Sequence, residues 1–198
     1  MRLRRLRRVE LPVPSAALAR SLIGKTLVRS VPGGRMLGRI VETEAYLPHD
    51  TASHAFGGMT RRNRALFLER GHAYVYFIYG NHFMLNVSGE EAGIGGGVLL
   101  RALEPLQGLD LMQKRRGGVP VRDLARGPGR LAEALKVDRR LDGVDLCSVG
   151  PLWLGTPLEP VGRIGRSVRI GINKDAQRRL RFYERDNPFV SGPVALRK

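Results

Sequence analysis

Alternating apolar and polar positions divide the chain into short strands and a few short helices. The pattern predicts strands at residues 25–30, 36–46, 73–79, 82–88, 97–103, 152–154, 167–171 and 180–183. It predicts helices at residues 15–24, 60–68, 106–114 and 129–135. Strands that follow one another without regular strand–helix alternation are typical of antiparallel pairing. The predicted fold class is therefore α+β, a single mixed domain built on a mainly antiparallel sheet.

The clearest local signal is a β-hairpin. Two runs rich in β-branched and aromatic residues are separated only by Gly80 and Asn81, which is typical of a tight turn. We expect Tyr74 and Phe77 to lie in the core. Tyr79 flanks the turn, where a ring could wedge into a nucleic-acid groove or pack over its own turn.

Two carboxylates share one face of the second predicted strand. Side chains alternate along a strand, so Glu42, Glu44 and Tyr46 point the same way. This face is either a solvated edge or the wall of a binding site whose carboxylate activates water. Arg101 interrupts an apolar strand, and a buried arginine requires an anion, either a protein carboxylate or a phosphate. Asn86 is a similar polar interruption, with either a structural or a recognition role.

Charge narrows the class of partner. The 198 residues include 34 Lys or Arg and 18 Asp or Glu, which gives a net charge of +16. Only five of the 34 are lysine, so 29 are arginine, the residue that best suits phosphates and groove shape. The excess predicts a polyanionic partner, although an arginine-biased genome would produce the same charge. We expect a flexible basic arm at residues 1–9 and one domain at residues 10–198.

No targeting or metal signal accompanies this charge. The basic start lacks the apolar run of a secretory signal, and the single cysteine, Cys147, fits a reducing compartment. We therefore expect a cytoplasmic protein that is not secreted, and its basic charge favours association with nucleic acid. Four histidines without ligand spacing, among them His54 in a polar loop, predict no metal site and no cofactor. Residues 126–130 open a helix that either meets a phosphate or carries two solvated arginines.

Read together, these segments resemble the alkyladenine (3-methyladenine) DNA glycosylase family. The resemblance runs in colinear order over roughly residues 10 to 192, and the ordered set is far more specific than any one segment. The matching segments are residues 38–46, 53–58, 62–64, 74–80, 86–88, 98–106, 180–183 and 187–191. Arg61 and His82 depart from positions that are often proline and aromatic in the family.

The resemblance implies a curved sheet with a protruding hairpin that enters the minor groove and displaces a nucleotide. It implies a monomeric, monofunctional glycosylase of base excision repair that acts on double-stranded DNA without a protein partner. The substrates would be 3-methyladenine, 7-methylguanine, hypoxanthine and ethenoadenine, released to leave an abasic site. No lysine lies in the matched pocket segments, so we expect no lyase activity.

The resemblance also implies roles for particular residues. Glu44 would be the general base, and Arg101 would help to hold the attacking water and Glu44. The base pocket would comprise Tyr46, His54, Tyr76 and Asn86, with Asn86 screening out normal guanine. Tyr79 would fill the gap in the duplex, on the strand face opposite Tyr76. Backbone contacts to DNA are expected from Arg62, Asn63, Arg126, Gly127 and Arg130.

Two alternatives stay open at this stage. A non-enzymatic nucleic-acid binder would use the same basic surface but would not need Glu44. A nuclease would normally need a cluster of metal-binding carboxylates, for which Glu42 and Glu44 are the candidates.

Overall fold

A curled sheet of eight strands organises the chain in the computed structural model, which describes residues 2–197. All the strand pairings are antiparallel, in the order β3-β4-β5-β2-β1-β6, with β8 pairing with β2 and β7. The strands are β1 (Thr26–Val31), β2 (Gly34–Tyr46), β3 (Ala73–Ile78), β4 (His82–Ser88), β5 (Gly97–Gln107), β6 (Leu152–Gly155), β7 (Ile164–Ser167) and β8 (Arg181–Glu184). The predicted α+β class with a mainly antiparallel sheet is confirmed.

Three short helices cover the sheet. They are α1 (Ser15–Leu22), α2 (Leu109–Arg115) and α3 (Pro128–Ala134), and single 3-10 turns lie at Arg8–Glu10, Arg64–Phe67, Val121–Asp123, Arg139–Leu141 and Val194–Arg197. Helix α1 buries Leu18, Ala19 and Leu22 in the main core. None of the helices in residues 2–197 is long and apolar enough to cross a bilayer.

The N-terminus of α1 has no capping side chain next to it in the sequence. The N-cap position is Pro14, and Ser15 is the first helical residue. Both the amide and the hydroxyl of Ser15 donate to the Glu90 carboxylate, at 2.9 and 2.7 Å. A carboxylate from a distant loop therefore stabilises this helix N-terminus in place of a local side chain.

Strand β2 is held on both sides. It pairs with β5 along one edge, and with β1 and then β8 along the other. Register shifts between β2 and β5 flank Glu42, as expected where a bulge redirects side chains beside a site. Glu42 and Glu44 are both completely buried, so the interpretation of this face as a solvated edge is wrong.

The hairpin of β3 and β4 projects from the sheet. Burial falls along β3 from its base to its tip, where Tyr79 is 75% exposed. Phe77, which we expected in the core, is 42% exposed and pairs with Phe83 at a ring separation of 4.9 Å. The predicted protruding hairpin is confirmed, and its projection explains why Phe77 lies outside the core.

Several elements begin or end at residues other than those predicted, because contacts with distant parts of the chain determine their bounds. The helix expected at residues 60–68 is only the 3-10 turn Arg64–Phe67. Strand β5 continues to Gln107, which delays α2 until Leu109. The strand expected at residues 167–171 lies earlier, as β7, and residues 170–172 are left in a loop beside the site.

The N-terminal basic segment differs from the expected flexible arm. The Leu6 amide donates to the carbonyl of Leu154 at 2.9 Å, and the Leu6 side chain is 2% exposed. Arg8 forms ion pairs with Asp145 at 2.7 Å and Glu69 at 3.4 Å. The buried Leu6 side chain and the two acidic partners of Arg8 therefore hold the segment in place beside β6. The segment also shields the edge of β6 from other strands.

Candidate active site

A cavity of about 310 Å³ opens where the hairpin, β2, β5 and the loop at residues 170–172 meet. Its size lies at the lower end of the range for small-molecule pockets. The residues of the predicted site that line the cavity are Tyr46, His54, Tyr76, Tyr79, Asn86 and Arg101. The structure thus brings together residues that are as far as 55 positions apart in the sequence, from Tyr46 to Arg101.

One wall of the cavity is aromatic. The Tyr74 and Tyr76 rings are stacked with centroids 5.3 Å apart, and the His54 ring lies 4.5 Å from Tyr76. His54 Nδ1 and the Tyr74 hydroxyl are 2.9 Å apart, within hydrogen-bond distance. Tyr74 is buried, as we expected, but it forms part of this wall.

These aromatic groups are neutral near pH 7. Burial raises the pKa of Tyr74 and of Tyr76 to about 12. Burial, and secondly the charge of Arg62, lower the pKa of His54 below its ordinary value of 6.5. The wall therefore offers flat, uncharged faces to a ligand.

Glu44 lies immediately behind the cavity. Its Oε1 accepts a hydrogen bond from the Ile170 amide at 2.8 Å. Its Oε2 accepts one from the Tyr46 hydroxyl at 3.1 Å and lies 3.2 Å from Arg101 Nη1. All three donor residues line the cavity, while Glu44 itself is completely buried. Burial raises the pKa of Glu44, and the opposing effect of Arg101 does not cancel it.

Glu42 anchors Arg101 from the other side. Glu42 Oε1 accepts from Arg101 Nε at 3.0 Å and from Arg181 Nε at 2.7 Å, and Oε2 accepts from the Ser191 amide at 2.7 Å. Burial favours a higher pKa for Glu42, but the charges of Arg101 and Arg181 outweigh it, so the pKa is lowered. The anion that Arg101 requires is therefore a pair of protein carboxylates.

Sequence reasoning did not assign Arg181 or Ile170 to the site. Arg181 lies in an otherwise apolar segment, and the rule that drew attention to Arg101 applies to it equally. Ile170 contributes only its backbone amide, for which an apolar side chain gives no signal.

Tyr79 adopts the left-handed backbone conformation, with φ of 56°. Side-chain alternation therefore ends at Ile78, and Tyr79 does not point away from the site as strict alternation predicts. Both Tyr76 and Tyr79 border the cavity, with Tyr76 in its wall and the exposed Tyr79 at the tip of the hairpin.

The residues expected to contact the DNA backbone have varied surroundings. The Arg62 guanidinium lies 5.9 Å from the centre of the Tyr76 ring, and Arg130 is half exposed, 3.7 Å from Asp123. Arg126 is partly buried and donates to the Val190 carbonyl at 3.0 Å. Gly127 has a φ of 129° and precedes Pro128, which lines the cavity at the start of α3.

Asn63 differs from the expected contact with DNA because its side chain is buried and fully bonded. Its Oδ1 accepts from the amide and the hydroxyl of Thr60, at 2.6 and 3.0 Å. Its Nδ2 donates to the carbonyls of His54 and Gly58, at 2.7 and 3.0 Å. Asn63 therefore shapes the loop that carries His54 and has no polar group left for a phosphate.

His82 packs the hairpin against α3. A Cβ atom at Gly129 would lie 3.0 Å from the His82 ring, which is tighter than ordinary van der Waals contact, so this close approach favours glycine. Across residues 2–197, no group of three or more His, Cys, Asp or Glu side chains could hold a metal ion.

Comparison with known proteins identifies the family. Residues 10–188 match the sequence model of the methylpurine-DNA glycosylase family. A relative from Mesorhizobium japonicum, named "Putative 3-methyladenine DNA glycosylase", is 63% identical over 96% of this chain and 92% of its own length. Relatives with the same name from Paraburkholderia phytofirmans and Chlorobium phaeovibrioides are 52% and 45% identical, over 96% and 90% of this chain and 90% and 92% of their own lengths. The chain belongs to the methylpurine-DNA glycosylase family, and it is a DNA-repair hydrolase that acts on N-glycosyl bonds in DNA.

Proposed function

We propose that this protein removes alkylated and deaminated purines from duplex DNA, with Glu44 as the general base. The observation that carries the proposal is the buried Glu44 carboxylate, held by Arg101, Tyr46 and Ile170 directly behind an aromatic cavity. The substrate class comprises 3-methyladenine, 7-methylguanine, hypoxanthine and ethenoadenine. The product is an abasic site in an intact strand.

The first step takes the damaged nucleotide out of the stack, because its glycosidic bond is not accessible within the duplex. Extrusion costs a few kcal/mol, and it costs least for a damaged, weakly paired base. Tyr79 occupies the resulting gap, since its ring is exposed at the tip of the hairpin. The surplus of positive charge on the protein favours DNA phosphates and helps to offset the cost of extrusion.

The cavity then holds the extruded base between flat rings. Tyr46, Tyr76 and His54 present neutral aromatic surfaces, which attract a purine that alkylation has made positively charged. Asn86 lines the same cavity, and its Nδ2 donates to the Tyr74 carbonyl at 3.2 Å, which fixes the orientation of its amide. A fixed amide can reject normal guanine by its exocyclic amino group.

The chemical step transfers a proton from water to the Glu44 carboxylate. The water oxygen forms a bond to C1′ of the sugar while the bond between C1′ and the purine nitrogen breaks. The departing base takes the electron pair of that bond, and a base that carries a positive charge leaves as a neutral molecule. Within residues 2–197, Oε1 of Glu44 accepts a hydrogen bond from the Ile170 amide alone, so an acceptor site stays available for the water.

The release is proposed to be monofunctional. A lyase reaction would need an amine nucleophile at C1′, and no lysine among residues 2–197 lines the cavity. Arg101 is tied to two carboxylates and cannot act as that nucleophile.

The test compares wild type with Glu44→Gln on duplexes that contain one hypoxanthine, ethenoadenine or 7-methylguanine, in the presence of EDTA. We expect wild type to release the base and Glu44→Gln to lose at least about a hundredfold in single-turnover rate, the usual scale for a general base. Glu133→Gln, which changes a half-exposed glutamate on α3, is the matched control and keeps full activity.

Two results would contradict parts of the proposal. Tight DNA binding without base release from any lesion would favour the non-enzymatic binder. Strand cleavage before alkali is added would exclude the monofunctional mechanism.

A further inference from the structure

An arginine covers the hidden face of a cavity tyrosine. The Arg169 guanidinium carbon lies 4.6 Å from the centre of the Tyr46 ring. Tyr46 lines the cavity, whereas Arg169 does not line it and its side chain is completely buried. Arg169 therefore lies on the side of the ring that faces away from the cavity.

The arginine is held firmly in this position. It forms a two-point ion pair with Asp50, whose side chain is also completely buried, and the Nη2–Oδ1 distance is 3.0 Å. Arg169 also donates to the carbonyls of Ala45 and Asp175, at 3.0 and 3.3 Å. Within residues 2–197, its Nε is buried without a hydrogen-bond partner, so the other two nitrogens form all of these contacts.

The same arginine is connected to the reacting groups. The next residue, Ile170, donates its amide to Glu44, and the Tyr46 hydroxyl donates to the other oxygen of Glu44. Stacking against Arg169 thus fixes the plane of a ring that both borders the base pocket and positions the general base.

A cation behind an aromatic ring changes what the front of the ring prefers. The negative face of a tyrosine attracts cations, and a charge already present on one face makes a second cation on the other face less favourable. Asp50 offsets part of the charge of Arg169, but the guanidinium is the charged group that lies over the ring. Stacking of a neutral purine depends much less on this charge.

We propose that Arg169, paired with Asp50, is a specificity-determining positioning residue that shifts base release away from cationic alkylated purines and towards neutral purines. This inference rests on the proposed function, because it concerns the choice between substrates of the same site. The relevant quantity is the ratio of two excision rates, which a purely structural effect on the site would leave unchanged.

The principal test removes both charges while keeping similar side-chain sizes, in the double variant D50N/R169Q. Single-turnover excision of 7-methylguanine, a cationic base, and of hypoxanthine, a neutral base, is measured in otherwise identical duplexes. We expect the ratio of the 7-methylguanine rate to the hypoxanthine rate to rise about threefold or more over wild type. Equal slowing of both reactions would overturn the proposal.

The single variant Asp50→Asn makes the opposite prediction. It leaves the arginine behind Tyr46 without its compensating anion, so the same ratio should fall below that of wild type. Because this variant changes only one atom type, it also provides a test if the double variant does not fold, as judged by circular dichroism. A ratio that stays at the wild-type value in Asp50→Asn would overturn the proposal.

The matched control is R39Q/E184Q, which removes another buried ion pair whose members do not line the cavity. It should lower stability without changing the ratio, and a ratio change as large as that of D50N/R169Q would overturn the proposal. If wild type released neither base, the proposed function itself would fail. Release of both bases with an unmoved ratio in every variant would defeat only the role of Arg169.

Discussion

The Glu44 carboxylate is ionisable although it is completely buried. Desolvation favours its neutral form, while Arg101, Ile170 and Tyr46 favour the charged form, and desolvation has the larger effect. A base with a raised pKa holds the proton of water more strongly and sits closer to the working pH. If Glu44 is the general base, as proposed, the environment of this one side chain sets the pH range in which the protein can act.

This environment predicts an acid limit for base release. As the proposed general base, Glu44 would act when it is deprotonated, so the single-turnover rate should fall as the pH drops through its raised pKa, at a pH above the ordinary glutamate value of 4.5. Tyr46→Phe removes a hydrogen bond that favours the carboxylate, so the limit should move to higher pH. The measurement is hypoxanthine release as a function of pH, with Glu133→Gln as the control that should follow wild type. An acid limit at or below pH 4.5 would contradict the prediction.

Single residues also show which parts of the site the sequence can reveal. An arginine within an apolar strand requires an anion, so the need of Arg101 for a partner was predictable. Glu44 was expected as its partner only from the family resemblance, and Glu42 was not expected, because both carboxylates reach Arg101 across the pairing of β2 with β5. The stacking of Arg169 on Tyr46 likewise joins segments that are far apart in the chain.

Among the elements, the hairpin was the most predictable because its signal is local. Two β-rich runs and a Gly-Asn turn specify it without help from the rest of the chain. Strand β7 was misplaced because its position depends on pairing with β8, which itself depends on β2. The helix at residues 60–68 was overestimated because the chain around Asn63 forms hydrogen bonds within its own loop.

The hairpin predicts a distinct effect for its tip. Tyr79→Ala removes an exposed ring, so the free energy of unfolding should change by less than about 0.5 kcal/mol. Without the Tyr79 ring, extrusion of the base should cost about 1.4 kcal/mol more, which corresponds to a factor of ten in rate. Release of hypoxanthine from a fully paired duplex should therefore slow at least tenfold. Release of hypoxanthine from an unpaired bulge should slow much less, because an unpaired base leaves the stack more easily.

The measurement is the rate of hypoxanthine release from the paired and the bulged DNA by Tyr79→Ala. The control is Phe77→Ala, in β3 of the same hairpin. The control also removes an exposed ring, but that ring packs on Phe83 and does not line the cavity. Equal slowing on paired and bulged DNA by Tyr79→Ala would show that the ring does not assist extrusion.

At the scale of the whole molecule, the N-terminal segment packs against the domain, although its many arginines are typical of a solvated arm. Arginine is the most frequent residue in the segment, but the burial of Leu6 and the acidic partners of Arg8 determine that the segment packs against the domain. Net charge describes the preference of the molecule for a polyanion and does not determine which segments pack. Packing of this kind depends on the far edge of the sheet and could not be read from the first ten residues.

This packing predicts that Leu6→Ala lowers the free energy of unfolding by about 2 to 4 kcal/mol, the usual cost of emptying a buried leucine site. A flexible arm would give no measurable change. Urea denaturation followed by circular dichroism provides the measurement. Val9→Ala, at a position that is 77% exposed, should stay within about 0.5 kcal/mol of wild type and serves as the control.

The pairing of β2 on both of its edges has a consequence for hydrogen exchange and for thermal unfolding. Residues 42–44 are hydrogen-bonded to β5 on one edge and to β8 on the other, so fraying of the hairpin or of the N-terminal segment leaves them in place. Their amide protons should then exchange with solvent only when the whole domain opens. Glu44 should therefore leave its position only when the whole domain unfolds, even if the hairpin has frayed at a lower temperature.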